Sequence, residues 1–220
     1  MESNPLREKI IEIGEIPFRL WLEFEETSPW EDLENDCANI KVDTLDGRSY
    51  GINVWTFKFL ESAVKLNEVN GENLCGLYQT PPDLFVKELT RICIEKTIVD
   101  LLKKGNLEEV LNNSIFGLKF IEPYWCAMEM EEKSRQAMMD ELKLELHDNH
   151  TLYNEHLDLL ARKTNNDDIV LELEDGRIAV VHLTWKSKKE TNGYPLTSIY
   201  KDKLDFWNKK MKQDILEFNE

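Results

Sequence analysis

Glycine is scarce in this chain, with nine in 220 residues. Phosphate-cradling loops need glycine where backbone must approach a ligand, and neither GxGxxG nor a P-loop pattern is present. The four cysteines (Cys37, Cys75, Cys93, Cys126) lie far apart and form no CxxC pair. Neither a zinc knuckle nor a disulfide framework is suggested, so a cytoplasmic, reducing setting is expected, with the cysteines as small core residues. No apolar run approaches the roughly 18 residues that span a bilayer. The opening "MESNPLREKI" lacks the basic-then-apolar layout of a secretory signal. Basic residues are the minority, 27 against 43 acidic, for a formal charge of −16. Such a surface repels nucleic-acid phosphates and anionic lipid, so neither is an expected partner. It either keeps the protein soluble or steers a basic protein partner toward it.

What is present suffices for packed cores, since 41% of residues are hydrophobic and 10% aromatic. The length allows one large domain or two of about 100 residues. Two stretches, "NIKVDTLDGRSYGINVWTF" (Asn39–Phe57) and "DIVLELEDGRIAVVHLTW" (Asp168–Trp185), both read strand, Asp-Gly-Arg, strand. Asp-Gly between alternating apolar runs signals a hairpin, because the turn needs positive φ and glycine accepts it without strain. Alternation in "IPFRLWLEFEE" (Ile16–Glu26) predicts a further strand, and "WTFKFLESAVKLNEV" a helix with Phe59, Ala63, Leu66 and Val69 near helical spacing and Gly71 to stop it. A longer helix is expected over Thr80–Gly105, capped by Asp83 and ending in Lys103, Lys104 and Gly105. Another is expected over Tyr124–Leu146, and a terminal one around Leu204–Ile215. The reading is α+β: a module over residues 1–118 and one over 119–220, each an antiparallel sheet with an Asp-Gly hairpin packed against helices.

The second half resembles a group of small bacterial proteins of unassigned activity. The resemblance rests on Ala161–Arg162, Asp167–Asp168, the run "AVVHLTW" (Ala179–Trp185) and Phe206–Trp207, and covers roughly the last 80 residues. The first half is similar, more loosely, to another uncharacterised bacterial group through "DGRSYGINVWTFKFL" (Asp46–Leu60) and "PPDLFV" (Pro81–Val86). Neither resemblance implies an activity or a cofactor. A fusion of two such modules suggests, by analogy, an accessory or immunity-like role.

Three features could carry function. "WLEFEETSPWEDLEND" gathers Glu23, Glu25, Glu26, Glu31, Asp32, Glu34 and Asp36 around Trp21 and Trp30. Tryptophans ringed by carboxylates suit a basic protein partner, the rings as anchors and the charges as steering; the same residues also fit a solvated loop with its tryptophans folded inward. "HDNHTLYNEH" holds His147 and His150, which with Asp168 and His182 could ligate a metal in a hydrolase, although no HExxH frame supports this. His182 itself lies in a run that reads as the covered middle of a sheet, and burial with a hydrogen-bonded imidazole is expected there rather than catalysis. The expectation is an acidic binding or inhibitory protein without a recognisable catalytic signature. The alternatives are the metal-assisted hydrolase and a scaffold subunit of a larger assembly.

Overall fold

A computed structural model of the protein describes residues 17–26, 32–191 and 193–219, together with the backbone of 10–11. The chain divides into two compact units, Met1–Gly117 and Leu118–Glu220. Both are α+β, each with a largely or wholly antiparallel sheet packed with helices.

In the first unit β1 (Ile10–Ile11), β2 (Phe18–Leu22), β3 (Cys37–Thr44), β4 (Arg48–Thr56) and β5 (Leu84–Val86) lie in that order, and β6 (Phe116–Leu118) also pairs with β4. The β3–β4 connection is the first Asp-Gly turn, with Gly47 at φ 88° and its amide on the Thr44 carbonyl at 3.2 Å. The register Leu20↔Val42 and Val42↔Tyr50 stacks the apolar positions onto one face. There Phe18, Leu20, Ile40, Val42, Tyr50 and Ile52 are at most 1% exposed and form a core with Ile94 and Ile98 of α3 (Arg91–Lys104). Burial contributes about 1.5–3 kcal/mol for each such aliphatic or phenyl group.

The long helix expected from Thr80 starts only at Arg91, where the Thr90 hydroxyl accepts the Cys93 amide at 3.3 Å. Its expected first turns are instead β5, running parallel to β4. Two prolines precede that segment, and Asp83 does not cap a helix: it accepts from the Asn53 amide at 2.8 Å and from Asn112 at 2.7 Å, pinning β5 to its neighbour. A parallel pairing requires a crossover. It is supplied by α1 (Phe57–Asn70) and the four-residue turn α2 (Asn73–Gly76). A short α4 (Leu107–Val110) follows α3.

The second unit orders its strands β11 (Thr197–Tyr200), β10 (Ile178–His182), β9 (Asp168–Leu173), β8 (Leu157–Lys163) and β7 (Tyr124–Cys126), all antiparallel. The helix expected from Tyr124 begins at Glu132, as α5 (Glu132–Glu145), because residues 124–126 are taken as the edge strand beside β8. One sheet face (Ile169, Leu171, Ala179, Val181) packs with Met138 and Leu142 of α5. The other carries the buried Val170, Ile178 and Val180 and faces the terminal helical segment. That segment runs α6 (Lys203–Phe206), a five-residue π-helical stretch (Trp207–Met211), then α7 (Lys212–Phe218), and its Phe206 ring meets Tyr124 and Tyr200 edge-on. Gly176 repeats the positive φ of Gly47, at 84°. In both turns the aspartate also pairs with the arginine two residues on: Asp46 with Arg48 at 2.9 Å, Asp175 with Arg177 at 2.6 Å. The shared Asp-Gly-Arg is thus turn chemistry, glycine for the backbone and an ion pair to close it.

Candidate functional site

Most carboxylates of the acidic stretch are engaged within the first unit. Glu23 accepts the Asn39 amide at 2.7 Å and its side chain at 3.1 Å. Glu25 pairs with Arg91 of α3, the Nε contact being 2.7 Å. Asp32 accepts the Glu34 amide at 3.1 Å, and Asp36 the Cys37 amide at 2.8 Å. Glu34 forms an ion pair with Lys58, which holds its carboxyl below the usual range. Glu26 is exposed, and Trp21 is half-buried on the outer face of β2 opposite Lys41. Trp30 and Glu31 lie outside the described residues. Glu34–Lys58 and the Ser62–Asn35 hydrogen bond of 2.9 Å fasten this segment along α1.

The helix itself falls where its spacing and Gly71 place it, and the exposure of its apolar side chains is what the sequence does not show. Helical spacing of Phe59, Ala63, Leu66 and Val69 implied a core stripe, yet only Ala63 is buried. Leu66 is 58% and Val69 84% exposed, and beyond them Leu74, Leu77 and Tyr78 are exposed too. After Gly71 the chain folds back through α2, whose backbone is left-handed at Asn73, Leu74 and Cys75 (φ 47°, 54° and 59°) and at Gly76. Left-handed backbone costs a residue with a Cβ roughly 1–2 kcal/mol. Gly76 makes the return possible: a Cβ there would lie 3.0 Å from both the Val64 carbonyl and the Glu68 Cβ. Cys75, grouped from sequence with small core residues, is exposed here. Together α1, α2 and the two residues after them form an arm that shows apolar side chains to solvent. The only trace of it in sequence is more leucine and valine than one helix stripe can bury.

The histidines divide. His147 Nδ1 accepts the Asn149 amide at 3.2 Å. His150 Nδ1 accepts the Leu152 amide at 3.1 Å, and its Nε2 lies 3.1 Å from the Pro195 carbonyl and 3.2 Å from Thr197 Oγ1. Both rings brace loops. His182 and Asp168 do meet, as directly opposed residues of β10 and β9, with Nδ1 2.8 Å from Asp168 Oδ1. Among the described residues no three His, Cys, Asp or Glu groups are placed to hold a metal ion, so the four-residue metal set is not assembled.

His182 also departs from the expected buried position, with its side chain 47% exposed. The sheet is covered on both faces at 178–181, but β10 ends at His182. Thr184, expected on the same face, instead donates its amide to Glu145 of α5 at 2.8 Å. The imidazole therefore opens onto a groove of about 520 Å³ lined by Asp168, Thr197, Ser198, Tyr200 and Lys210 among others. Beneath the groove Asp214, 6% exposed, receives Lys210 at 2.9 Å, Lys163 at 3.1 Å and the Tyr124 hydroxyl. Burial pushes the Asp214 carboxyl up, but these three donors outweigh it and hold the group below the ordinary aspartate range. Burial and the bond to Asp214 drive the Tyr124 phenol well above its usual value.

No family model, curated protein or solved structure matches this chain. Function has to be argued from the chemistry of the arm and the groove. Among the described residues no helix is long and apolar enough to cross a membrane.

Proposed function

We propose that this is an acidic binding protein, inhibitory or regulatory in action, that engages a basic protein partner through the first unit. The observation that carries the reading is the arm, on which Leu66, Val69, Leu74, Leu77 and Tyr78 are each more than half exposed. Scattered apolar exposure is ordinary, but its concentration on one excursion from the sheet is the mark of an interaction site. Backbone strain strengthens the argument. Leu74 and Cys75 adopt a costly conformation there, and such strain persists where the presentation it achieves has a use.

Charge indicates the partner's chemistry. Lys58 is matched by Glu34, which leaves Glu61, Glu68 and Glu72 on the arm against Lys65. Asp32, Glu34 and Asp36 run alongside, and the whole chain carries −16. A basic segment with apolar side chains would bury the leucines and be guided by the carboxylates, which raise the association rate more than the final affinity. The carboxylates first read around Trp21 thus act as a border for the arm, and the arm supplies the anchors.

Exchange of Leu74 for asparagine separates the two roles of the arm. Asparagine tolerates left-handed backbone, so Leu74→Asn is expected to stabilise the free protein by roughly 1 kcal/mol in urea unfolding. Combined with Leu77→Ser it is expected to abolish capture of a basic partner in pull-downs against the products of neighbouring genes. A partner captured equally well by the double variant overturns the reading.

A further inference from the structure

The groove at the end of β10 is not used by the proposed docking arm, and it contains its own chemistry. A carboxylate has no proton to give, so in the Asp168–His182 pair the proton sits on Nδ1 and the neutral ring keeps its lone pair on Nε2. Around the ring stand Asp168 from β9, Thr197, Ser198 and Tyr200 from β11, and Lys210 from the terminal helical segment. Burial pushes the Tyr200 phenol up, which keeps it a hydrogen-bond donor. Burial opposes the charge on Lys210, but its bond to Asp214 prevails and the ammonium is retained. Lys210 projects from the π-helical stretch Trp207–Met211. Such insertions re-aim side chains and recur at functional sites.

Counting charge decides what fits. Lys163 and Lys210 balance Asp214 and Asp168, and Asp205, which acts on Tyr200, is paired with Lys209 at 2.7 Å, so this set is neutral while His182 is neutral and gains one positive charge when the ring is protonated. Below it, two ammoniums share the single Asp214 carboxylate, and Lys163 is 8% exposed and cannot turn outward to solvent. The protein's −16 acts over longer range and is damped beyond a Debye length, roughly 8 Å at physiological salt, so the local set governs a compact ligand. We propose that this groove binds a small oxyanion, such as a phosphate or sulfate group, between His182 Nε2 and the Lys210 and Tyr200 donors, taking up a proton on His182 as it binds. By linkage the affinity then rises as pH falls through the His182 titration, and the bound anion raises the His182 midpoint in return.

Inorganic sulfate is the probe, because it stays a dianion across the histidine range. The full chain is titrated by NMR through its imidazole resonances, in sulfate and in chloride at equal ionic strength, with His182→Gln giving the assignment. The expected result is a His182 midpoint higher in sulfate by about half a pH unit or more, which is a threefold or larger preference of the anion for the imidazolium form. Exposed His156 should not move, and Lys210→Met should remove the shift at His182. A His182 midpoint equal in the two salts, one that moves only as much as that of His156, or a full shift retained by a folded Lys210→Met overturns the proposal. The wild-type comparison decides even if the variant does not fold.

Discussion

Replacing Asp214 by alanine is expected to destabilise the second unit by about 3–5 kcal/mol, the cost of leaving a buried charge without its partner. The carboxylate is 6% exposed and is the meeting point of Lys163, Lys210 and Tyr124. Its removal strands Lys163, which is 8% exposed, and takes away the acceptor of a buried hydroxyl. Urea unfolding measures the loss directly. The effect should also depend on pH with a definite sign. Asp214 is held below its unfolded value, so its stabilising contribution is complete above the ordinary aspartate pKa, about 3.9, and fades as pH falls through the lower folded value. The gap between wild type and Asp214→Ala should therefore narrow in acid, and a gap unchanged down to about pH 2 contradicts the assignment.

Glu145→Ala is the second large effect. Glu145 is fully buried at 0% exposure and accepts the Thr184 amide at 2.8 and 3.0 Å and the Thr184 hydroxyl at 2.9 Å. One turn earlier, Glu141 takes the Ser187 amide at 2.6 Å and its hydroxyl at 3.1 Å. These α5 carboxylates replace the ladder that β10 loses after His182, and they hold a strap in which Trp185 and Ser187 have φ of 56° and 52°. Alanine at 145 leaves the Thr184 amide without an acceptor, at a cost of about 1–3 kcal/mol. Amide exchange should accelerate first at Thr184 and Ser187, while Leu171 and Ala179 keep their protection. Uniform loss across the sheet would mean that the carboxylate does not act locally.

Legibility followed the range of the interactions. The Asp-Gly hairpins, the glycine stop after α1 and the one-sided apolar pattern of β2–β4 depend on neighbours in sequence or on strand periodicity, and each was readable. Residues 84–86 and 124–126 were read as helix because a three-residue edge strand is fixed by what it pairs with, and its own periodicity is too short to show. His182 was misplaced because alternation reveals which face a side chain joins but not where the covering helix stops. Asp214 reaches Tyr124 across 90 positions, and nothing local singles it out from the exposed acids of the same segment. The acidic stretch was visible as composition, but its bonds to Arg91 and Lys58 depend on the folded chain and leave the arm beside it as the more open surface.

Cys75 provides the most direct test of docking through the arm, since it is exposed within the left-handed turn, whereas Cys37, Cys93 and Cys126 are partly covered. Alkylation of the intact protein is followed by peptide mass spectrometry, alone and in complex with the basic partner captured from its gene neighbourhood. The account expects Cys75 to react readily in the free protein and to be protected by the partner, with Cys126 of the second unit unchanged. Equal Cys75 reactivity in the free and bound protein would place the interface elsewhere and contradict the account.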